Sequence, residues 1–384
     1  MMLARSTSTS LGGQTERSVE RLNPSRLDLA RRRRGLTKRE LATSAGISVR
    51  VLSDYDRATK EPTGKTVERL AATLDFPVEF FTGPDLEEPS IEGVSFRALS
   101  SMTARQRDQA TGAAAIAVAL DRWMRDRFDL PGPDVPRLRN EIPEAAAEAV
   151  RGAWGLGHRR APNMVHLLEA HGVRVFSLVQ ECAEVDAFSF WHDGKPYVFL
   201  NGMKTAERSR MDAAHELGHL VMHFWGGPKG RAAEEQAHAF GSAFLMPHRS
   251  VLADMPRGAT VAQVIRGRKQ WNVSAMNLAY RMAKLGLLTE WQARSTYIHL
   301  GRLGYRDGEP DGIARETSQI WAKVFDALRS EGMSRSDVAR QLRVSVDELN
   351  RAVFGLVAVS RNEPPSRRTS IAAPTPERPT LRVV

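Results

Sequence analysis

The sequence predicts a mainly α protein with a small β-sheet, an α+β chain whose N-terminal part is all-α and whose C-terminal part closes in a further helical unit. Two observations carry this. From Asn23 to about Gly83, and again beyond residue 300, the apolar spacing fits short helices. Only between Val173 and Leu200 does it change to short β-branched and aromatic runs, Val173–Leu178, Ala187–Trp191 and Tyr197–Leu200. His192-Asp193-Gly194-Lys195 separates the last two like a hairpin turn.

With 384 residues the chain exceeds one average domain. Residues 1–22 read as a disordered leader and 23–83 as a compact helical domain. A linker and connecting helix span 84–142, opening with Gly83-Pro84-Asp85-Leu86-Glu87-Glu88-Pro89. The mixed domain spans 143–300, with helices expected near 143–154, 163–171, 206–224 and 231–245. A helical unit at 301–360 precedes a tail, 361–384, that holds five prolines and reads as disordered. No apolar run approaches the roughly 18 residues that span a bilayer, and the polar N-terminus lacks an apolar signal core, so a cytoplasmic protein without membrane contact is expected. Cys182 is the sole cysteine, which excludes an internal disulfide framework and a thiolate zinc site. Net charge is +10, and residues 1–60 hold 13 Lys/Arg against 6 Asp/Glu, a local excess suited to a polyanion.

Within the basic part, Thr37-Lys38-Arg39-Glu40 forms a capping box that opens a helix to about Ser44. Ala45-Gly46-Ile47 supplies a tight turn in which Gly46 takes positive φ. Ser48 caps a second helix, from Val49 to about Arg57, with Val51, Leu52 and Tyr55 facing inward. Two short helices around such a turn are the geometry that places a second helix in a DNA major groove. Ser48, Val49, Arg50 and Ser53 are its exposed candidates, while Lys38 and Arg39 suit phosphate contact. Leu29–Phe81 resembles the Cro/repressor-like (XRE) helix-turn-helix family through Gly35-Leu36-Thr37, Glu40-Leu41-Ala42, Gly46-Ile47-Ser48, Tyr55-Asp56-Arg57 and Pro62. Lys38 stands where that family often has Gln, and Ala58 where it often has Gly. The resemblance implies operator DNA as a partner. Such proteins are commonly homodimers, although no segment here marks an interface.

The strongest signal is His215-Glu216-Leu217-Gly218-His219. On a helix, residues i and i+4 share a face, so both imidazoles reach one Zn²⁺, and Glu216 beside them suits a general base. A catalytic zinc needs a third ligand and an open position. His223 lies eight residues beyond His215, about 12 Å along a helix, which suits it to a supporting role. The extended metzincin pattern fails, since Met222 replaces its Gly and Trp225 its third His. Glu234, Glu235 and His238, on the helix after Gly226-Gly227-Pro228, are the remaining candidates.

His215–His219, Glu234-x-x-Ala237-x-x-Phe240 and Phe244-Leu245-Met246-Pro247 are similar to the ImmA/IrrE metallopeptidase family. Arg208-x-Arg210, Trp271-Asn272-Val273-Ser274 and Tyr280-Arg281 extend the likeness over about 150–300. It implies a zincin-like fold, zinc as cofactor, His215, His219 and Glu234 as ligands, and Glu216 as general base. His238 departs from the family's usual Asn. Arg208, Arg210, Tyr280 and Arg281 are candidates to stabilise the oxyanion. The resemblance further implies a zinc-dependent endopeptidase that cleaves a helix-turn-helix repressor, in trans or in cis within the linker 83–95, and so controls transcription of a stress-response or mobile-element regulon. Two rivals are a non-proteolytic regulator with a sensing zincin-like domain and an antitoxin-like binder.

Gly332-Met333-Ser334-Arg335-Ser336-Asp337-Val338-Ala339 repeats the pattern of Gly35–Ala42 without a gap, and Val344-Ser345-Val346 that of Ile47-Ser48-Val49. A second helix-turn-helix-shaped unit is expected at about 317–356. Its second helix opens with Asp347-Glu348, which would repel phosphate, so a protein-contact or domain-packing role rather than a second DNA reader is expected for it.

Overall fold

The computed structural model describes residues 21–89, 102–178, 186–224, 230–357 and 380–381. Most of the expected leader and tail, linker residues 90–95, Cys182, Trp225 and the Gly226-Gly227-Pro228 turn lie outside the described residues.

The N-terminal unit comprises α1 (Pro24–Arg33), α2 (Lys38–Ser44), α3 (Val49–Asp56) and α4 (Gly64–Leu74), with a 3₁₀ turn at Val78–Thr82. The capping box forms as expected: Glu40 N–H donates to Thr37 Oγ1 at 3.1 Å, and Thr37 N–H donates to Glu40 Oε2 at 2.7 Å. Gly46 turns the chain between α2 and α3 at φ +63°, and Ser48 caps α3. Leu27, Leu41, Leu52, Leu70, Leu74, Phe80 and Phe81 form the core. Ala58, where the resembled family often has Gly, takes φ +53°.

Helix α5 (Ala104–Arg125) joins this unit to the rest, because its Ala115 and Ile116 enter the N-terminal core while Ala110, Ala114 and Ala117 enter the larger one. Helices α6 (Pro143–Ala153) and α7 (Met164–Ala170) lead into β1 (Arg174–Leu178), β2 (Ala187–His192) and β3 (Lys195–Asn201). The sheet order is β1-β3-β2, with β1 parallel and β2 antiparallel to β3. Asp193 and Gly194 both take positive φ in the β2–β3 turn, as a tight hairpin requires. Side chains alternate along β2. Phe188 and Phe190 stack with Phe199 and Tyr197, while Ser189 and Trp191 reach the following helix.

That helix, α8 (Ala206–Met222), packs on α9 (Arg231–Leu245). Then come α10 (His248–Asp254), α11 (Val261–Gly267), α12 (Ala275–Lys284) and α13 (Glu290–Arg302). No helix of the described residues is long and apolar enough to cross a membrane.

The C-terminal unit, α14 (Gln319–Ser330), α15 (Arg335–Leu342) and α16 (Val346–Ala352), repeats α1–α3 down to the backbone. Gly35 and Gly332 sit at φ +64° and +72°, Gly46 and Arg343 at +63° and +56°. Ser334 and Asp337 rebuild the capping box. Glu348 falls where α3 has Val51, and it is buried in ion pairs with Arg33 and Arg34 of the N-terminal unit. Glu348 thereby packs the second helix of the repeat against the N-terminal unit.

Candidate metal centre

Two glycines set the geometry. A Cβ on Gly218 of α8 would come within 3.2 Å of Ala237 Cα, and one on Gly241 of α9 within 3.0 Å of His215 N. The helices thus meet backbone to backbone, which lets a side chain from α9 reach the histidine pair on α8.

The side chain that arrives is Glu234. Its Oε2 lies 3.2 Å from His215 Nε2 and its Oε1 3.3 Å from His219 Nε2, while the two Nε2 atoms are 3.1 Å apart. A tetrahedral ion holding nitrogen and oxygen donors at about 2.0–2.1 Å would space them about 3.3 Å apart. Lone-pair donors facing one another so closely call for a cation, so these three residues fit a zinc ion with a position left open. Burial opposes ionisation of Glu234, but the two facing imidazoles outweigh it and hold the carboxyl well below its usual range. Burial likewise disfavours a charged His215, yet Glu234, Glu216 and Asp212 hold its pKa above the ordinary value. Asp212, one turn earlier, is pushed up to about 7 by burial and by Asp186.

Glu216 is buried, with its carboxylate within 4.8 Å of both histidine nitrogens. Ser189 Oγ donates to Glu216 Oε2 at 2.6 Å. The sequence reading missed Ser189, whose one signal is a polar residue among the aromatics of β2. His223 stands behind the pair: His219 Nδ1 and His223 Nδ1 are 2.9 Å apart, and His223 Nε2 lies 3.0 Å from Gln236 Oε1. An amide oxygen only accepts, so His223 carries its hydrogen on Nε2 and accepts from His219 Nδ1–H. His219 Nε2 is left without a hydrogen.

Two clefts meet at His215, Glu234 and His238. One, of about 960 Å³, is lined by Asp212, Glu216 and Arg208 and walled by Tyr297 and the segment Tyr305–Glu309. The other, of about 770 Å³, runs past Ile142, Tyr280, Arg281 and Leu285. Sequence reasoning did not find the wall from Tyr297 to Glu309, which carries no metal-ligand or capping signal.

The four candidate oxyanion donors part company. Arg208 lines the first cleft but is paired with Asp186 at 2.7 Å. Tyr280 lines the second, edge-on to His238 with centroids 4.8 Å apart. Arg281 lines it too, though its guanidinium is bound to Glu144 and Met246 O. Arg210 lines neither cleft. It is buried against the carbonyls of Ala161 and Pro162 and the carboxylate of Glu316, so its donors serve the fold.

On the N-terminal unit, Arg39, Ser48, Val49 and Arg50 are exposed and Ser53 is half-buried. Lys38 is about half exposed and paired with Asp56 at 2.7 Å.

No curated protein matches the sequence. Residues 27–81 match the family model described as helix-turn-helix. Residues 168–283 match that of the IrrE N-terminal-like domain, peptidase family M78, so the chain joins a helix-turn-helix segment to an IrrE-like one that contains His215, Glu216, His219 and Glu234.

Proposed function

We propose that the chain is a zinc-dependent endopeptidase whose helix-turn-helix domain binds DNA and whose substrate is a helix-turn-helix repressor. The observation that carries this reading is the convergence of His215 Nε2, His219 Nε2 and the Glu234 carboxylate within 3.3 Å, with Glu216 beside them at the meeting of two clefts. Clefts on both sides of the centre suit a chain that passes through, and hence an internal peptide bond.

His215, His219 and Glu234 would hold the ion. When bound, zinc supplies Lewis acidity and acidifies water. Glu216 takes the proton from the attacking water and delivers it to the leaving amine. Tyr280 and His238, which line the second cleft, are the donors we assign to the developing oxyanion. Arg281 is held by Glu144 and Met246 O instead.

On the DNA side, the exposed start of α3 would enter a major groove, with Arg50 and Arg39 supplying cationic contacts. Cleavage of a repressor would then change transcription near the bound site.

The test compares wild type with Glu216→Gln, each loaded with zinc and incubated with repressor-type helix-turn-helix proteins, by intact-mass spectrometry. A discrete cut made by wild type alone supports the peptidase. Zinc and DNA binding by both proteins, with no cut by either, would favour a sensing regulator.

A further inference from the structure

We propose that Ser189 is a positioning residue for Glu216, fixing one carboxylate oxygen so that the other is left to handle the proton. The inference rests on the general-base reading of Glu216 given above.

Ser189 sits on β2 with its side chain directed at α8, and the register that puts it there is doubly fixed. It pairs with Val198 across the sheet, and Trp191, two residues on, donates its Nε1–H to Leu220 O at 3.1 Å. A slip of one residue would turn a phenylalanine towards Glu216 instead. The hydroxyl has a single hydrogen. Glu216 Oε2 lies 2.6 Å from Oγ and the Glu216 carbonyl 3.3 Å, so that hydrogen goes to the carboxylate. Both residues are buried, Ser189 at 2% and Glu216 at 3% exposure.

Glu216 Oε1, by contrast, has no hydrogen-bond partner among the described residues. One oxygen is tied and one is free, in a side chain that lines the cleft. A glutamate with three rotatable torsions otherwise samples several rotamers. Tying Oε2 removes that freedom while leaving the oxygen that must accept and return a proton. The strand already has Trp191 to bind it to the helix, so a second contact only for packing would need no hydroxyl.

The test uses the full-length, zinc-loaded protein in wild-type, S189A, S189T and S189C forms. Acetohydroxamic acid is the probe, because it gives up its proton as it binds zinc and needs a carboxylate in place to receive it. Its affinity is measured by calorimetry, zinc content by mass spectrometry, and the Glu216 position by crystallography. S189A is expected to keep its zinc, to bind the probe about tenfold more weakly, and to show Glu216 displaced. S189T is expected to return to within about twofold of wild type. Unchanged affinity in S189A, with Glu216 unmoved, would overturn the assignment. If S189A does not fold, S189C carries the same comparison with a weaker donor. A chain that binds zinc and the probe but cuts no polypeptide would remove the peptidase reading, while the same readouts still decide the role of Ser189.

Discussion

Glu348 Oε2 lies 2.9 Å from Arg33 Nε, with both side chains 2% exposed and 315 positions apart in the chain. Arg34 and Arg351 also bind Glu348 Oε1. This one carboxylate therefore pins the C-terminal repeat to the first helix of the N-terminal unit. Removing one partner of a buried ion pair costs about 3–5 kcal/mol, because the remaining charge is stranded. Glu348→Ala is expected to lower unfolding stability by that order in denaturant titrations of the full chain. Arg34→Ala, which takes away a less buried partner, should cost less. Equal stability of wild type and Glu348→Ala would show that the two units do not depend on this contact.

The same contact sets a pH dependence. Burial alone would raise the pKa of Glu348, but Arg33, Arg34 and Arg351 outweigh it and hold it below the ordinary 4.5. The folded chain then releases this proton more readily than the unfolded one. Its contribution is fully present above 4.5 and is lost as pH falls through the lower folded value. Stability measured against pH should therefore decline on the acid side of 4.5, with a gentler slope in Glu348→Gln. Identical acid limbs would count against the linkage.

His223 should matter to metal affinity without touching the metal. It accepts from His219 Nδ1–H and is itself oriented by Gln236. Partners of this kind fix the tautomer and ring direction of a ligand histidine, and losing one typically costs 10–100-fold in metal affinity. His223→Phe is expected to show a loss in that range in competition titrations with a zinc chelator. Gln236→Ala should show a smaller one. Full affinity in His223→Phe would mean that packing alone orients His219.

The histidine pair was legible because its signal is local, two histidines one helical turn apart, whereas the residues alone left Glu234, Glu235 and His238 open on the next helix and only the resemblance singled out Glu234. The glycines that bring α8 against α9, Gly218 and Gly241, gave no comparable sign, since a helical glycine reveals its purpose only when a neighbour's backbone is seen against it. Ser189 was hidden for a related reason. Its partner lies across a strand-to-helix contact that no sequence period encodes. The arginines show the limit most sharply. Arg208 and Arg210 are two positions apart on one helix, about 200° around its axis, so one lines a cleft while the other is buried in the fold. The C-terminal repeat, in contrast, was read from an ungapped echo, and the backbone keeps that echo at Gly35 and Gly332.

Ala58 pays for a conformation that suits glycine. It holds φ +53° just after α3, where a Cβ crowds the backbone, and its N–H still donates to Tyr55 O at 2.9 Å. The left-handed region costs an L-residue roughly 1–2 kcal/mol, and glycine gives part of that back through its greater unfolded-state freedom. Ala58→Gly is expected to raise stability by about 0.5–1 kcal/mol, read as a higher midpoint in thermal unfolding. A lower midpoint would mean that entropy outweighs strain at this turn.

The DNA reading makes its own demand on α3. Arg50 is exposed on its first turn, next to Val49, which leaves 44% of its surface to solvent. If α3 enters a major groove, the two residues should behave differently. An arginine that binds phosphate contributes to every sequence alike and releases a counterion, whereas an apolar side chain at a base edge affects only the preferred site. Arg50→Ala is therefore expected to weaken binding to specific and unrelated duplexes together. It should also reduce the slope of log affinity against log salt by about one. Val49→Ala should narrow the gap between preferred and unrelated duplexes and leave the slope unchanged. Both follow from fluorescence anisotropy at several salt concentrations, on a duplex selected from a random pool. If both variants bind as wild type does, DNA contact runs through another face of the domain, and the exposed start of α3 is free for a protein partner.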